Sequence, residues 1–190
     1  MDTLAGQIGL GILLAGCAGL RAFVPLLVAG LAARFDVLPL AARFDWLASD
    51  AALVVFGAAL VVEVLGDKIP VVDHGLDLLG TLVKPAAATL LAAGVLRDVG
   101  PLASTAIGLI AGGGTAATVH VAKAKLRLAS TVTTLGLANP FLSLFEDLVA
   151  FASAVAAVLV PLLVLSAVLA ALAIAAIVTL ASARRSARAP

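Results

Sequence analysis

Charged side chains inside strongly apolar segments are the residues of this sequence best suited to chemistry. Arg21 lies near the middle of the apolar stretch 8–33, which contains no other charge. That stretch is long enough to cross a bilayer, where a central arginine costs at least about 2.5 kcal/mol. Such a charge faces a protein interior or a water-filled cavity and has a partner. Arg21 therefore predicts either an ion pair that holds helices together or a group that binds an anion or tunes a carboxylate.

Glu63 is the acid that we expect to pair with Arg21. It lies in the next apolar segment, 51–65, slightly deeper than the membrane interface in the expected topology. Arg21 lies nearer the midplane, and the two long side chains can narrow the gap between them. The alternative is that Glu63 takes up protons or cations.

The segment 66–77 is the densest polar cluster and contains Asp67 and Lys68. A helix that starts at Pro70 places Asp73 and Asp77 on one face, with His74 beside Asp73. Two carboxylates and an imidazole within one turn are candidates to bind a divalent cation or to relay protons. The alternative is a solvated amphipathic helix at the interface, over about 70–82. No other cofactor is predicted.

Further charges are expected at the cytoplasmic half of the membrane region. His120 precedes Lys123 by three residues, and Glu146 and Asp147 follow Asn139-Pro140 by one to two turns. An acidic pair at that depth must face water or basic partners. We therefore expect a polar vestibule open to the cytoplasm with Arg21 at its floor. Its expected members are Glu63, Asp67, Asp73, Asp77, Lys84, His120, Glu146 and Asp147, with Lys123, Lys125 and Arg127 at similar depth.

Three consecutive glycines, Gly112, Gly113 and Gly114, interrupt another apolar segment. Each glycine costs roughly 1 kcal/mol in helix propensity. One interpretation is a helix that breaks here, so that freed backbone groups line a substrate site. The other is that the glycines allow neighbouring helices to pack closely.

The composition indicates an all-α integral membrane protein. The chain is 63% hydrophobic and only 12% charged, with a mean hydropathy of +1.22. Its net charge of +1 gives no basic surface for nucleic acid. We expect one membrane domain over 1–190, with halves at about 1–98 and 99–183 and a basic tail at 184–190.

The apolar segments predict about six transmembrane helices. The third is short unless it begins near Leu78, and the charge-free segment 148–181 is divided at Pro161 because one straight helix would exceed the bilayer core. The expected spans are 4–33, 51–65, 85–96, 101–122, 140–160 and 161–182.

The distribution of basic residues predicts cytoplasmic N- and C-termini in the cytoplasmic membrane. With that orientation, the inner segments hold Lys68, Lys84, Lys123, Lys125, Arg127, Arg184, Arg185 and Arg188. The outer segments hold Arg34, Arg43 and Arg97. Six spans divide into two sets of three with opposite orientation, which favours a 3+3 inverted repeat. A homodimer is a further expectation.

Three stretches carry a resemblance to a known family. They are Gly19-Leu20-Arg21-Ala22-Phe23, then Asp67-Lys68-Ile69-Pro70 running into Val72-Asp73-His74, and Asn139-Pro140 followed by Ser143-Leu144-Phe145-Glu146-Asp147. In this order, over about residues 10–160, they resemble a family of small bacterial membrane proteins known as domain of unknown function 4126. The resemblance implies a polytopic helical membrane protein and supplies no substrate.

Together these features favour a small membrane transporter or channel for an ion or small charged solute, with proton coupling as an option. One alternative is a lipid-handling protein, either a flippase or an enzyme acting on lipid headgroups at the cytoplasmic face. The other is a non-catalytic membrane assembly partner. The sequence contains no P-loop, dinucleotide fingerprint, His-Glu-x-x-His or Gly-x-Ser-x-Gly motif, which disfavours the enzyme.

Overall fold

The computed structural model describes residues 3–160, apart from the side chains of Pro70, Val71, Asp73 and His74. All regular structure in this part of the chain is helical. The chain divides into two compact units, Met1–Val158 and Leu159–Pro190. The predicted sixth span and basic tail lie outside the described residues, so they stay predictions, as does the single domain.

The first predicted span is two helices rather than one. Helix α1 covers Leu4–Leu20 and α2 covers Phe23–Arg34. Between them Arg21 adopts an extended conformation, with φ −137° and ψ 113°. The expected continuous helix over 4–33 is interrupted where its buried charge lies, and the interruption frees backbone groups that need partners.

The next two helices meet at a short turn that contains Asp67. A 3₁₀ helix, Ala42–Ala48, precedes α3, Asp50–Gly66, at a 59° bend. Helix α4 then runs without interruption over Pro70–Val95. The predicted interfacial helix over 70–82 and the predicted third span over 85–96 are therefore one element, which resolves the problem of the short third span.

The glycine-rich segment does not unwind. Helix α5, Pro101–Ile107, continues through a π-helical stretch, Gly108–Gly113, into α6, Gly114–Thr134. The expected break at Gly112 to Gly114 is instead a local change of helical winding, and the helix runs well beyond residue 122. Helix α7 covers Asn139–Val160.

Close packing explains the glycines on this helix. A Cβ added at Gly112 would lie 2.7 Å from the Cβ of Ala92 and 2.8 Å from the carbonyl oxygen of Ala88, both on α4. A Cβ at Gly19 of α1 would lie 2.7 Å from the carbonyl oxygen of Ala116 on α6. Small residues thus bring α1, α4 and α6 into backbone contact, as is common between membrane helices.

Three helical segments are long and apolar enough to cross a bilayer: Gly75–Val95, Pro101–Thr134 and Asn139–Val160. The bent pair Ala42–Ala48 and Asp50–Gly66 gives a fourth if it counts as one span, while α1 and α2 are shorter apolar helices. These segments indicate a membrane protein. They carry three buried basic residues, Lys84 on α4 and Lys123 and Arg127 on α6, while the buried Arg21 lies at the α1–α2 break.

Candidate functional site

Arg21 is completely buried and meets polar groups from two other parts of the chain. Its Nη1 donates to Asp67 in the α3–α4 turn, and its Nε lies 2.6 Å from Oδ1 of Asp147 on α7. Its Nη2 donates to Oγ of Ser143, one turn before Asp147, at 3.0 Å. Arg21 therefore joins the α1–α2 break to the α3–α4 turn and to α7.

The two basic side chains of α6 complete this network. Arg127 Nη2 lies 2.9 Å from Oδ2 of Asp67 and 2.8 Å from Oε2 of Glu146. Lys123 Nζ lies 3.1 Å from Oε2 of Glu146 and donates to the carbonyl oxygen of Leu20 at 3.3 Å. We call the six charged side chains the charge cluster: Arg21, Asp67, Lys123, Arg127, Glu146 and Asp147. Three cations and three anions give it a formal charge of zero.

Glu63 has a different partner from the one expected. Its Oε1 accepts from the backbone N–H of Ala22 at 2.9 Å, and its Oε2 accepts from the N–H of Phe23 at 3.3 Å. Arg21 touches Glu63 only through the backbone carbonyl, at 3.4 Å. The carboxylate thus satisfies the N–H groups at the start of α2, where a negative charge also suits the helix dipole. The prediction that the Glu63 carboxylate pairs with Arg21 is therefore wrong.

Asp67 is the anion on which the charge cluster centres. Burial acts to raise its pKa, but the positive charges of Arg21, Lys123 and Arg127, together with the Arg127 hydrogen bond, outweigh burial and hold the pKa below the ordinary 3.8. Asp67 is therefore a stable anion, poorly suited to take up protons near neutral pH.

Of the other charged residues in the predicted polar segment, Lys68 lies at the edge of the charge cluster. Lys68 Nζ is 3.4 Å from Oδ2 of Asp147, and the Lys68 side chain is 41% exposed. The side chains of Asp73 and His74 lie outside the described residues. No group of three metal-ligating side chains occurs among the described residues, so a site formed by Asp73, His74 and Asp77 stays a prediction.

A cavity of about 340 Å³ lies between α3 and α4, beside the α1–α2 break. We call it the α3–α4 cavity. Its walls are mainly apolar, and its charged lining residues are Glu63, Asp67, Asp77 and Lys84. Because Glu63 and Asp67 are engaged as described above, Asp77 and Lys84 are the two charges that remain for a ligand.

Lys84 is paired with His120 at the wall of this cavity. Its Nζ lies 3.1 Å from Nδ1 of His120, and the two residues are 4% and 6% exposed. Nε2 of His120 lies 3.5 Å from Oγ1 of Thr81, which donates to the carbonyl oxygen of Asp77. His120 therefore contacts a residue of the cavity wall, Lys84, and makes no ion pair with the acids of the charge cluster among the described residues.

The structure thus divides the expected vestibule into two parts. Arg21, Asp67, Glu146 and Asp147 lie in the charge cluster, whereas Glu63, Asp77 and Lys84 line the cavity. Asp67 also lines the cavity, and His120 contacts Lys84. Sequence reasoning gave no specific role to Lys123, Arg127, Ser143 and Thr81. The sequence signal for a shared site was helical spacing, which places residues three or four apart on one face of a helix. Lys123 and Arg127 are four residues apart, and Ser143 precedes Glu146 by three residues and Asp147 by four.

An all-helical bundle with segments long enough to cross a membrane, and with a buried arginine at a helix break paired to acids after α3 and on α7, defines the class of protein. Within that class, the family model described as Domain of unknown function (DUF4126) matches residues 8–181, and the chain belongs to this family. No curated protein and no solved structure matches the chain.

Proposed function

We propose that this protein is a small membrane transporter or channel for an ion or small charged solute, and that the α3–α4 cavity is its binding site. The observation that carries the proposal is the position of this cavity. It adjoins the interrupted α1–α2 segment, and its mainly apolar wall carries the charged residues Glu63, Asp67, Asp77 and Lys84. Concave sites with apolar walls and a few polar groups are typical of ligand binding, and interrupted helices are typical of transporter sites.

The charge cluster has a supporting role in this proposal. Its buried cations and anions contact one another, so they hold the α1–α2 break, the α3–α4 turn, α6 and α7 in one arrangement. A fixed framework beside a cavity keeps the cavity in shape while a solute enters. Any proton coupling then belongs to the groups at the cavity wall.

The arrangement in the membrane is part of the proposal. We propose six spans, with the apolar segment 161–182 as the sixth, in a 3+3 inverted repeat with both termini in the cytoplasm of a bacterial cell. The bias of basic residues toward the proposed inner segments supports this orientation. A homodimer in the cytoplasmic membrane is the proposed assembly, as is usual for small symmetric proteins.

Flux measurement in proteoliposomes tests the function. The purified protein is reconstituted, and charge movement is recorded against a panel of ions and small charged solutes across a pH gradient. We expect a current, or uptake of a radiolabelled solute, above that of empty liposomes, reduced in Asp77→Asn and unchanged in Asp36→Asn. Asp36→Asn is the matched control because Asp36 is exposed in the loop after α2, away from the cavity.

Equal loss of transport in both variants, or no loss in either, would contradict the assignment of the cavity. Absence of both current and radiolabel uptake for every member of the panel would contradict transport itself, since uptake also detects electroneutral exchange.

A lipid-handling role is the second candidate, favoured by the apolar lining of the cavity. Val62, Leu79 and Val83 border it and are exposed at the protein surface. Apolar surface of this kind also accommodates acyl chains. Movement of fluorescent phospholipid between the leaflets of the same proteoliposomes, with no solute flux, would favour this candidate.

A further inference from the structure

Lys84 of the cavity wall forms an unusual buried pair with His120. Both side chains are nearly fully buried, and Lys84 Nζ contacts the imidazole rather than a carboxylate. Gly80 leaves room for them, since a Cβ there would lie 3.2 Å from Cε of Lys84 and 3.5 Å from Cε1 of His120. Two basic groups at this distance cannot both carry a proton without strong repulsion. The pair therefore holds at most one excess proton.

The charges that face this pair come from every neighbouring element. Helix α4 contributes Asp77, α3 contributes Glu63, the α3–α4 turn contributes Asp67, and α6 contributes Lys123. Glu63 accepts from backbone N–H groups, and Asp67 and Lys123 belong to the charge cluster. The Asp77 carboxylate makes no hydrogen bond or ion pair within the described part of the chain, so it is the anion free to receive a ligand.

The lining of the cavity selects the kind of ligand that Asp77 receives. A bare Ca²⁺ ion needs about six to eight oxygen ligands, which one free carboxylate among Leu76, Leu79 and Val83 does not supply. An organic ammonium ion needs one carboxylate and apolar walls for its carbon atoms. Phe23 also lines the cavity, and an aromatic ring attracts such a cation.

We propose that the α3–α4 cavity binds a small organic cation at Asp77, and that binding releases one proton from the Lys84–His120 pair. This inference rests on the proposed function, because it names the substrate class and the coupled ion of the same site. One N–H bond of the pair breaks and its proton passes to water, while no other covalent bond changes. The cation that enters replaces the positive charge that leaves.

Electrostatic repulsion supplies the coupling between the two events. A protonated Lys84 repels a second cation in the same low-dielectric cavity, so a bound cation disfavours the protonated state. The imidazole suits both states of the pair, because its Nδ1 accepts from a lysine ammonium or, as the other tautomer, donates to the neutral amine. The wall of the cavity therefore remains hydrogen-bonded whether or not the proton is present.

Calorimetry combined with a pH indicator in weakly buffered detergent solution tests the proposal. The probe is benzyltrimethylammonium, which carries no dissociable proton of its own. We expect about one proton released for each cation bound to the full-length protein, and tighter binding as the pH rises. Asp77→Asn should weaken binding about tenfold or more through loss of the carboxylate.

Two substitutions of Lys84 separate coupling from folding. Lys84→Met should bind the probe at least as tightly as the unsubstituted protein, with no proton release. Lys84→Arg retains a charge that does not dissociate and should bind more weakly, also without release. Lys125→Met is the matched control, because Lys125 is exposed on the same helix as His120 and should behave as the unsubstituted protein.

Binding without proton release in the unsubstituted protein, or unchanged release in Lys84→Met, would overturn the coupling. Failure to bind the cation, in a protein whose proteoliposomes carry an anion current, would overturn the substrate class while transport stands. Binding with proton release, in a protein that supports no flux, would instead preserve this inference and overturn transport.

Discussion

At the scale of single residues, Arg21 shows why a buried charge needs ion-pair partners. Its guanidinium has no exposed surface and contacts the carboxylates of Asp67 and Asp147. Removing one partner of a buried ion pair leaves the other charge desolvated and uncompensated, which costs more than the pair itself contributes. Arg21 is therefore expected to govern stability through the anions that it would leave behind.

Arg21→Met should lower the free energy of unfolding by about 3 to 5 kcal/mol, because Asp67 and Asp147 lose a buried cation. Arg34→Met is the matched control: Arg34 pairs with Asp50 at the surface, where an ion pair contributes about 1 kcal/mol or less. Denaturant unfolding in detergent micelles, followed by circular dichroism, measures both. Similar losses in the two variants would contradict the structural role of Arg21.

The pH dependence of stability should report on Asp67. Its pKa in the folded protein lies below the ordinary 3.8, so the folded state favours the anion. That stabilisation is fully present above pH 3.8 and is lost as the pH falls through the lower, folded pKa. Thermal unfolding between pH 3 and pH 6 should show a decline at the acid end that Asp67→Asn reduces. An identical decline in that variant would assign the effect to other carboxylates.

The sequence predicts that Arg21 is buried and needs an acid, because an apolar stretch of bilayer length surrounds it. It does not predict which acid. Glu63 lies near enough, but its carboxylate serves the N–H groups of Ala22 and Phe23. Those N–H groups need a partner only because the helix is interrupted at Arg21. The sequence is apolar on both sides of Arg21, so it does not predict this interruption.

At the scale of helices, small residues determine how closely α1, α4 and the α5–α6 helix approach. Gly108 and Gly112 face α4, where a Cβ would lie within 3.0 Å of its atoms. The π-helical winding over Gly108–Gly113 coincides with this contact. A π-helical turn shifts the side chains that follow it around the helix axis, and Lys123 and Arg127 are among those that follow.

Gly112→Ala should lower the free energy of unfolding by about 1 to 3 kcal/mol, since its Cβ would overlap Ala92 and the carbonyl oxygen of Ala88. Gly114→Ala, two residues further along the same helix, meets no atom within 4 Å and should stabilise the helix by about 0.5 to 1 kcal/mol. Unfolding of both variants in one detergent provides the comparison. The two substitutions should change the free energy of unfolding in opposite directions. A loss of stability in both variants would show that helix winding, and not packing, sets the preference for glycine.

The sequence predicts the positions of several helices but not where each helix begins and ends. The apolar segment 51–65 corresponds to α3, and 140–160 to α7. The polar residues before Lys84 suggest a separate interfacial helix, yet α4 runs through them because neither Gly75 nor Pro85 stops it. Close packing of the Gly112 region was one of two open interpretations, since three glycines equally suit a break or a tight contact.

At the scale of the whole molecule, the orientation in the membrane is the central prediction. The loop after α2 and the turn between α6 and α7 should lie on opposite sides of the bilayer if both termini are cytoplasmic. Phe35 and Leu137 are exposed in these two connections, with 72% and 78% of their surfaces accessible. They are therefore suitable positions for an accessibility experiment.

Phe35→Cys should react with a membrane-impermeant maleimide in intact bacterial cells, whereas Leu137→Cys should react only after the membrane is permeabilised. Cys17→Ser provides the background, because Cys17 is the only native cysteine and is buried. Quantified labelling before and after permeabilisation is the measurement. The reverse pattern would invert the topology, and labelling of both in intact cells would exclude an odd number of membrane crossings between the two positions.

The zero formal charge of the charge cluster has a consequence for how the protein responds to membrane voltage. An elementary charge that crosses a potential of 100 mV changes in energy by about 2.3 kcal/mol. Arg21, Lys123 and Arg127 balance Asp67, Glu146 and Asp147, so the six side chains moving together carry no net charge through the field. Conformational changes built on this framework should therefore proceed at the same rate in energised and de-energised membranes.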